Sequence, residues 1–294
     1  MTWTGTVKTI LQQHSLTGAD LLGEGGEAQV YALGPDHVVR IDKAPADRRL
    51  TTRRHAFYAA LDPARVPFRL PTIVQEAERD GVSYSVERRI AGRSLADALP
   101  DLEGAARRRA LTAYAETATS VRRLGYAQDG FGEVLAAPPI RSAAWADFIL
   151  SRAGGCLAAH HRIAGHVGQA GRALARLEHM LAPCGAIRPE LVHGDYHPAN
   201  LMVGADGLVT GLIDFGPLTV MGDWRMDAAG AMLYLTGMAG VTPEDKRVVL
   251  DHLTERGLSR DVLELYRLFY AFRFLDTSKA GLLRWCADTI RSAC

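Results

Sequence analysis

The pattern of apolar and polar positions changes about a third of the way along the chain. Between Leu21 and Ile90, short apolar runs alternate with turn residues, which is typical of strands. The stretch 47–61 lacks Gly and Pro and spaces its apolar residues at helical intervals, which indicates one helix. We therefore predict that the first third is a mainly antiparallel sheet with one helix.

From Gly92 onward the apolar positions recur with the period of a helix. A helix with one apolar face is predicted over Leu111–Leu124. Further helices are predicted over 145–150, 167–181, 243–254, 261–274 and 281–290, with two short strands at Leu201–Val203 and Leu208–Ile213. The pattern predicts an α+β chain with an N-terminal lobe (1–90), a C-terminal lobe (91–294) and a hinge near 87–92. Small ligands usually bind in the cleft between such lobes.

Composition and charge exclude several classes of protein. A net charge of +1 gives no electrostatic reason to expect nucleic acid or an anionic membrane as a partner. No run approaches the ~20 apolar residues of a spanning helix, and the first residues lack the pattern of a signal peptide. The four cysteines are scattered, without a CxxC pair. We expect a cytoplasmic protein, monomer or homodimer, that binds neither nucleic acid nor membrane.

The strongest chemical signal is His193-Gly194-Asp195-Tyr196-His197-Pro198-Ala199-Asn200, followed by Ile213-Asp214-Phe215-Gly216. Phosphoryl transfer needs an oriented hydroxyl, a base for its proton and cations to offset charge on the phosphate. Asp195 and Asn200 can offer a carboxylate and an amide from one loop, and Asp214 can complete oxygen ligation of Mg²⁺. A single Asp-x4-Asn usually caps a turn. The ordered combination of motifs favours a phosphoryl-transfer site over that interpretation.

These motifs resemble the catalytic and metal-binding motifs of the aminoglycoside phosphotransferase family, which is itself similar to protein kinases. The resemblance implies a bilobal, protein-kinase-like fold, with a small antiparallel-sheet N-lobe and a larger, mainly helical C-lobe. It implies that Asp195 is the catalytic base and that Asn200 and Asp214 bind Mg²⁺. The segment Gly222–Asp227 is similar to the GDxxxD segment of the family, in which Asp227 would brace the catalytic loop.

A glycine cluster lies between the first two predicted strands. Glycines let backbone amides approach phosphates closely, although a lone cluster of this kind is more often a simple turn. By its position the cluster resembles the nucleotide-covering loop of the family. We therefore expect Gly23, Gly25, Gly26 and Val30 to line the nucleotide.

The phosphate clamp departs from the family pattern in two ways. The family usually places a lysine on the third strand, paired with a glutamate on the following helix. Arg40 stands at the lysine position and can bind phosphate oxygens bidentately, although an exposed surface charge is the alternative interpretation. His55 stands where the glutamate would be, so the partner of Arg40 is left open. The basic residues around it, Arg48, Arg49, Arg53 and Arg54, are expected to form a solvated helix face.

The stretch 86–95 resembles the inter-lobe linker of the family, so Arg88 and Ile90 are expected to contact the base through backbone groups. The nucleotide is expected to be ATP, with GTP as the alternative. The acceptor is expected to be a hydroxyl of a small molecule, and an antibiotic, an amino-alcohol, a sugar or a peptide-like metabolite all fit, because one fold serves many acceptors. Acids that could hold a cationic acceptor are scattered: Glu133, Asp147, Glu264, Asp276 and Asp288.

Two other functions compete with this hypothesis. The missing Lys–Glu pair is compatible with a weak or inactive nucleotide-binding module. A protein kinase is the third possibility, and it is disfavoured because no activation segment or APE-like element follows Gly216.

Overall fold

The structure, a computed structural model, describes residues 2–45, 47–160, 170–184 and 187–293. The strands are β1 (Leu21–Glu24), β2 (Ala28–Leu33), β3 (His37–Pro45), β4 (Ile73–Arg79), β5 (Val82–Arg88), β6 (Arg93–Ser94), β7 (Phe131–Glu133), β8 (Arg141–Ser142), β9 (Glu190–Val192), β10 (Leu201–Val203), β11 (Val209–Leu212) and β12 (Val220–Gly222). The helices are α1 (Trp3–Gln13), α2 (Arg48–Ala60), α3 (Leu95–Ala98), α4 (Gly104–Ser120), α5 (Trp145–Ala159), α6 (Ala170–Leu181), α7 (Arg225–Thr236), α8 (Pro243–Glu255), α9 (Arg260–Arg273) and α10 (Ala280–Ser292).

The first third forms an antiparallel sheet with the strand order β1-β2-β3-β5-β4. Besides the expected helix α2, the first third contains helix α1, which was not predicted from the sequence. Val7, Ile10 and Leu11 of α1 pack on the sheet, and the Trp3 indole donates a hydrogen bond to the Asp42 carbonyl at 3.1 Å. Spacings of three and four residues place these apolar side chains on one face of the helix.

Helix α2 connects the sheet to the larger core. Asp47 caps its first turn by accepting a hydrogen bond from the Arg49 amide at 2.9 Å. The rings of Phe57 and Tyr58 lie 5.5 and 6.2 Å from the ring of Phe215, in the predicted Asp-Phe-Gly motif. The position of α2 is therefore coupled to the segment that carries Asp214.

The rest of the described chain is mainly helical, as predicted. The predicted α8 has Thr242 as its N-cap, with a capping box to Asp245. The predicted helix over 167–181 corresponds to α6, and residues 167–169 lie outside the described residues. No helix in the described part of the chain is long and apolar enough to cross a membrane.

Two small sheets position the predicted motifs on the helical part. The predicted hairpin is present as β10 and β11, with β6 on its edge. A four-stranded sheet in the order β8-β7-β12-β9 was not predicted, because its strands are only two or three residues long. The architecture confirms the α+β, protein-kinase-like class, whereas the division into lobes at residue 90 stays a prediction.

Candidate active site

The loop after β9 depends on the backbone of Gly194. This residue has φ +81°, and a Cβ there would lie 1.8 Å from the Leu218 carbonyl oxygen. Only glycine fits such a close approach in the left-handed region. The preceding His193 is buried, with Nε2 2.9 Å from the Ile213 carbonyl oxygen, so it connects the loop to the segment after β11.

Asp227, in the first turn of α7, holds the same loop in place through hydrogen bonds to its backbone. Its fully buried carboxylate accepts hydrogen bonds from the amides of His193 at 2.7 Å and Gly194 at 2.8 Å. Arg273 of α9 donates to the Gly194 carbonyl at 3.1 Å. Burial raises the pKa of Asp227 to about 6, although His193 and the two amide donors oppose the shift. The expected bracing role of Asp227 matches this geometry.

Asp195 is half-buried at the mouth of the loop, and its carboxylate is oriented by a tyrosine. The Tyr234 hydroxyl donates to Asp195 Oδ1 at 2.5 Å. Burial, followed by the negative charge of Asp195, raises the pKa of Tyr234 well above its ordinary value, so the phenol remains a donor. No sequence motif pointed to Tyr234, because it is one side chain in an apolar helix 39 residues from Asp195.

Asn200 and Asp214 are brought together by the backbone. The Asn200 Nδ2 donates to the Asp195 carbonyl at 2.9 Å, which leaves its Oδ1 available for a cation. The Asn200 carbonyl accepts from the Ile213 amide at 2.9 Å, so the next residue, Asp214, lies beside it. Asp214 adopts φ +67°, a strained conformation for a non-glycine residue that is common at functional sites.

One amide oxygen and one carboxylate suit Mg²⁺, which commonly takes few protein ligands and completes its shell with phosphate and water. Among the described residues, no group of three or more His, Cys, Asp or Glu could hold a metal ion by itself. The donor set at Asn200 and Asp214 therefore fits a magnesium ion that arrives with a nucleotide.

Arg40 on β3 lies beside Asp214, and acidic residues other than a helix glutamate surround it. Its Nη1 lies 2.6 Å from Asp42 Oδ1, and its Nη2 lies 3.7 Å from both Glu27 Oε2 and Asp214 Oδ1. His55 is exposed and lies 3.7 Å from Glu76. These three carboxylates, and not a glutamate of α2, are the acidic partners of Arg40.

Helix α2 is tied to the sheet by an ion pair in which the helix supplies the cation. Arg54 Nη2 lies 2.5 Å from Glu87 Oε1 on β5, and the Ser85 hydroxyl donates to the same oxygen at 2.7 Å. The side chains of Arg54 and Glu87 are only 16% and 9% exposed. The expectation of a solvated helix face is therefore wrong for Arg54. Helical periodicity does not reveal this ion pair, because the charged partner lies on a distant strand.

The glycine cluster forms the β1–β2 turn. The Gly25 amide donates to the Ala28 carbonyl at 2.9 Å, and Lys43 Nζ donates to the Gly25 carbonyl at 2.8 Å. No atom lies within 4 Å of a Cβ position on Gly23, Gly25 or Gly26, so this face of the turn is open.

Glu27 connects this turn to the Asp-Phe-Gly segment. A Cβ at Gly216 would lie 3.6 Å from Glu27 Oε2. Burial, then the charge of Asp214, raises the pKa of Glu27. The glycine turn thus lies over Asp214.

The remaining predicted nucleotide residues lie on β2, at the end of β5 and just after it. Val30 pairs with Gly23 on β1 and with Arg40 on β3. The Arg88 amide already donates to the Thr72 carbonyl at 2.9 Å, so only its other groups are available to a base. Ile90 follows β5, and its side chain packs against Gly211, where a Cβ would lie 2.6 Å from Ile90 Cγ2.

The sequence matches the model of the phosphotransferase enzyme family (APH) over residues 19–268. The chain belongs to this family. No curated protein sequence matches it. This membership confirms the resemblance seen in the sequence, and it makes the chain a member of a phosphotransferase family.

Solved structures of aminoglycoside phosphotransferases share the fold of this APH-family chain. ADP-bound APH(2'')-Ib is 15% identical with a TM-score of 0.67, covering 99% of this chain and 98% of that one. The streptomycin–ATP–APH(2'')-IIa ternary complex is 16% identical with a TM-score of 0.65 and coverages of 99% and 97%. The GDP complex of wild-type aminoglycoside 2'-phosphotransferase-IIIa is 17% identical with a TM-score of 0.63 and coverages of 99% and 97%. At these identities the likeness shows the fold alone.

Proposed function

We propose that the protein transfers the γ-phosphate of ATP, or of GTP, to a hydroxyl of a small molecule with the help of Mg²⁺. The observation that carries the proposal is the position of Asn200. Its side-chain amide donates to the Asp195 carbonyl, and its own carbonyl accepts from the Ile213 amide. The base candidate Asp195 and the metal-ligand candidates Asn200 and Asp214 therefore lie together. Similar folds hold ADP, ATP or GDP in the solved structures named above, which supports a purine nucleotide as donor.

We propose a role for each side chain of the site. The Asp195 carboxylate, oriented by Tyr234, accepts the proton of the acceptor hydroxyl. The hydroxyl oxygen then bonds to the γ-phosphorus, while the bond between that phosphorus and the β–γ bridging oxygen breaks. Arg40 neutralises charge on the phosphates. A Mg²⁺ ion held by Asn200 and Asp214 would offset charge on the phosphate oxygens. The open face of the glycine turn at Gly25 and Gly26 covers the phosphates.

A non-catalytic nucleotide-binding module is the second candidate. The observation that favours it is the ion pairing of Arg40 with Glu27, Asp42 and Asp214, because phosphate must compete with these acids for the guanidinium. Such a module would be stabilised by nucleotide without transferring phosphate to any acceptor.

Substitution of the base tests the proposal. Asp195→Asn keeps the shape of the side chain but cannot accept the proton, so we expect phosphate transfer to fall by about 10²–10⁴-fold. Transfer is measured by mass spectrometry of an acceptor library incubated with ATP and Mg²⁺, and nucleotide affinity by thermal shift. The exposed Asp251→Asn on α8 is the matched control. Equal rates for Asp195→Asn and wild type would contradict the assignment.

A further inference from the structure

Glu27 brings a carboxylate from the end of the glycine turn into the candidate site. Its carbonyl accepts a hydrogen bond from the Lys43 amide at 2.8 Å, which holds its backbone against β3. Its Oε2 lies 3.7 Å from Arg40 Nη2 and 3.6 Å from the Cβ position on Gly216. The side chain is 56% exposed, so a ligand that enters beneath the turn can reach it. The roles proposed above leave this carboxylate unused.

The guanidinium of Arg40 is shared unequally among its three carboxylates. Nη1 donates to Asp42 Oδ1 at 2.6 Å, a short charge-assisted hydrogen bond within one strand. Nη2 lies 3.7 Å from Glu27 Oε2 and from Asp214 Oδ1, which is close enough for ion pairing but too long for a hydrogen bond. Nη2 is therefore the group that a phosphate oxygen can bind, and Glu27 and Asp214 are the carboxylates beside it.

The charge around Nη2 opposes a phosphate that carries no metal ion. Three carboxylates pair with one guanidinium, so negative charge is in excess there. The ammonium group of Lys43 is directed elsewhere, because it lies 2.6 Å from Glu24 Oε1 and donates to the Gly25 carbonyl at 2.8 Å. Like charges a few ångströms apart repel, and the repulsion grows where the protein partly excludes water. A phosphate therefore binds most favourably at Nη2 when a cation neutralises part of its charge.

We propose that Glu27 makes nucleotide binding selective for the metal-bound form. Its carboxylate repels the phosphates of a free nucleotide and competes with them for Arg40, whereas a divalent cation that arrives with the phosphates offsets the repulsion. Asp214 is a candidate ligand of that cation, so removal of Asp214 would weaken metal binding as well. Glu27 acts only against the free nucleotide. The inference rests on the proposed function for the position of the nucleotide.

The test compares the affinity for ADP in excess Mg²⁺ and in EDTA, by isothermal titration calorimetry of the full chain. ADP, or GDP if that binds more tightly, carries the phosphates without a γ-phosphate to transfer. Glu27→Gln keeps the size of the side chain and removes its charge. We expect this variant to bind the metal-free nucleotide about 3- to 10-fold more tightly than wild type, with the Kd in Mg²⁺ changed by less than about 2-fold. The ratio of the Kd in EDTA to the Kd in Mg²⁺ should therefore fall.

Glu24→Gln is the matched control, because it removes an equal charge from the same turn but its carboxylate pairs with Lys43 and not with Arg40. We expect its Kd ratio to stay within about 2-fold of wild type. An unchanged ratio in Glu27→Gln, or an equal fall in both variants, would overturn the role proposed for Glu27. A loss of affinity in Mg²⁺ alone would overturn it too, because Glu27 would then be a metal ligand.

These outcomes are separate from those for phosphate transfer, because binding of a nucleoside diphosphate requires no turnover. A chain that binds the Mg²⁺ complex but transfers phosphate to no acceptor overturns the proposed function and leaves the selectivity of Glu27 intact. An unchanged ratio together with phosphate transfer overturns the selectivity alone. No binding of ADP or GDP under either condition would overturn both.

Discussion

The backbone at Gly194 turns through the left-handed region directly against the Leu218 carbonyl. At this residue scale, the motif residues themselves define the loop. His193 and Asp195 flank the glycine, and the side chain of Asn200 donates a hydrogen bond to the Asp195 carbonyl. The motif therefore indicated which residues meet in this loop, while their catalytic roles stay a prediction. It could not predict Tyr234, since nothing local distinguishes a tyrosine that reaches a carboxylate from one that only packs.

Gly194→Ala should be among the most destabilising single changes in the chain. Its Cβ would overlap the Leu218 oxygen and also strain the backbone, so we expect the free energy of unfolding to fall by about 3 kcal/mol or more. Gly240→Ala, with φ +74° and no atom within 4 Å of the Cβ position, is the control and should cost about 1–2 kcal/mol. Urea unfolding measures both, and equal losses would contradict the close contact.

Helix α2 illustrates what was predictable at the scale of elements. Its existence and approximate bounds followed from local periodicity, as did those of α8 with its Thr242 cap. Its ion pair with the sheet did not, because Arg54 and Glu87 are 33 residues apart and only the folded chain brings them together. The four-stranded sheet was missed for a similar reason: strands of two or three residues carry no readable alternation.

Arg54→Met should destabilise the protein strongly, because it leaves the carboxylate of Glu87 buried without its cation. Breaking one partner of a buried ion pair typically costs about 3–5 kcal/mol. Arg49→Met, on the exposed face of the same helix, is the matched control and should stay within about 0.5 kcal/mol of wild type. Thermal or urea unfolding measures the loss of stability in each of the two variants. Glu87→Gln in the Arg54→Met background should recover part of the loss, and no recovery would argue against the pair.

At the scale of the whole molecule, the buried carboxylate of Asp227 joins α7 to the loop that carries Asp195 and makes stability depend on pH. The pKa of Asp227 is raised from 3.8 to about 6, so the folded state binds its proton more tightly than the unfolded state. Its contribution is fully present below about pH 4 and is lost as pH rises through 6. Two pKa units correspond to about 3 kcal/mol.

The measurement is the free energy of unfolding of wild type and Asp227→Asn from pH 4 to 8. We expect the difference, wild type minus variant, to fall by about 3 kcal/mol between pH 4 and 6 and then to level off. The exposed Asp251→Asn should show no such decline. A flat difference for Asp227→Asn would mean that the carboxylate is ionised throughout.

By itself, the sequence determined the α+β class, the family and which residues share the candidate site, because Asp195, Asn200 and Asp214 are joined by one short loop and one hairpin. The tertiary structure decided which acids pair with Arg40, which cation ties α2 and which tyrosine donates to the base candidate. Those contacts join residues that are distant along the chain or on separate elements. Local periodicity and spacing carry no information about such contacts, since only the packing of the folded chain brings the partners within bonding distance.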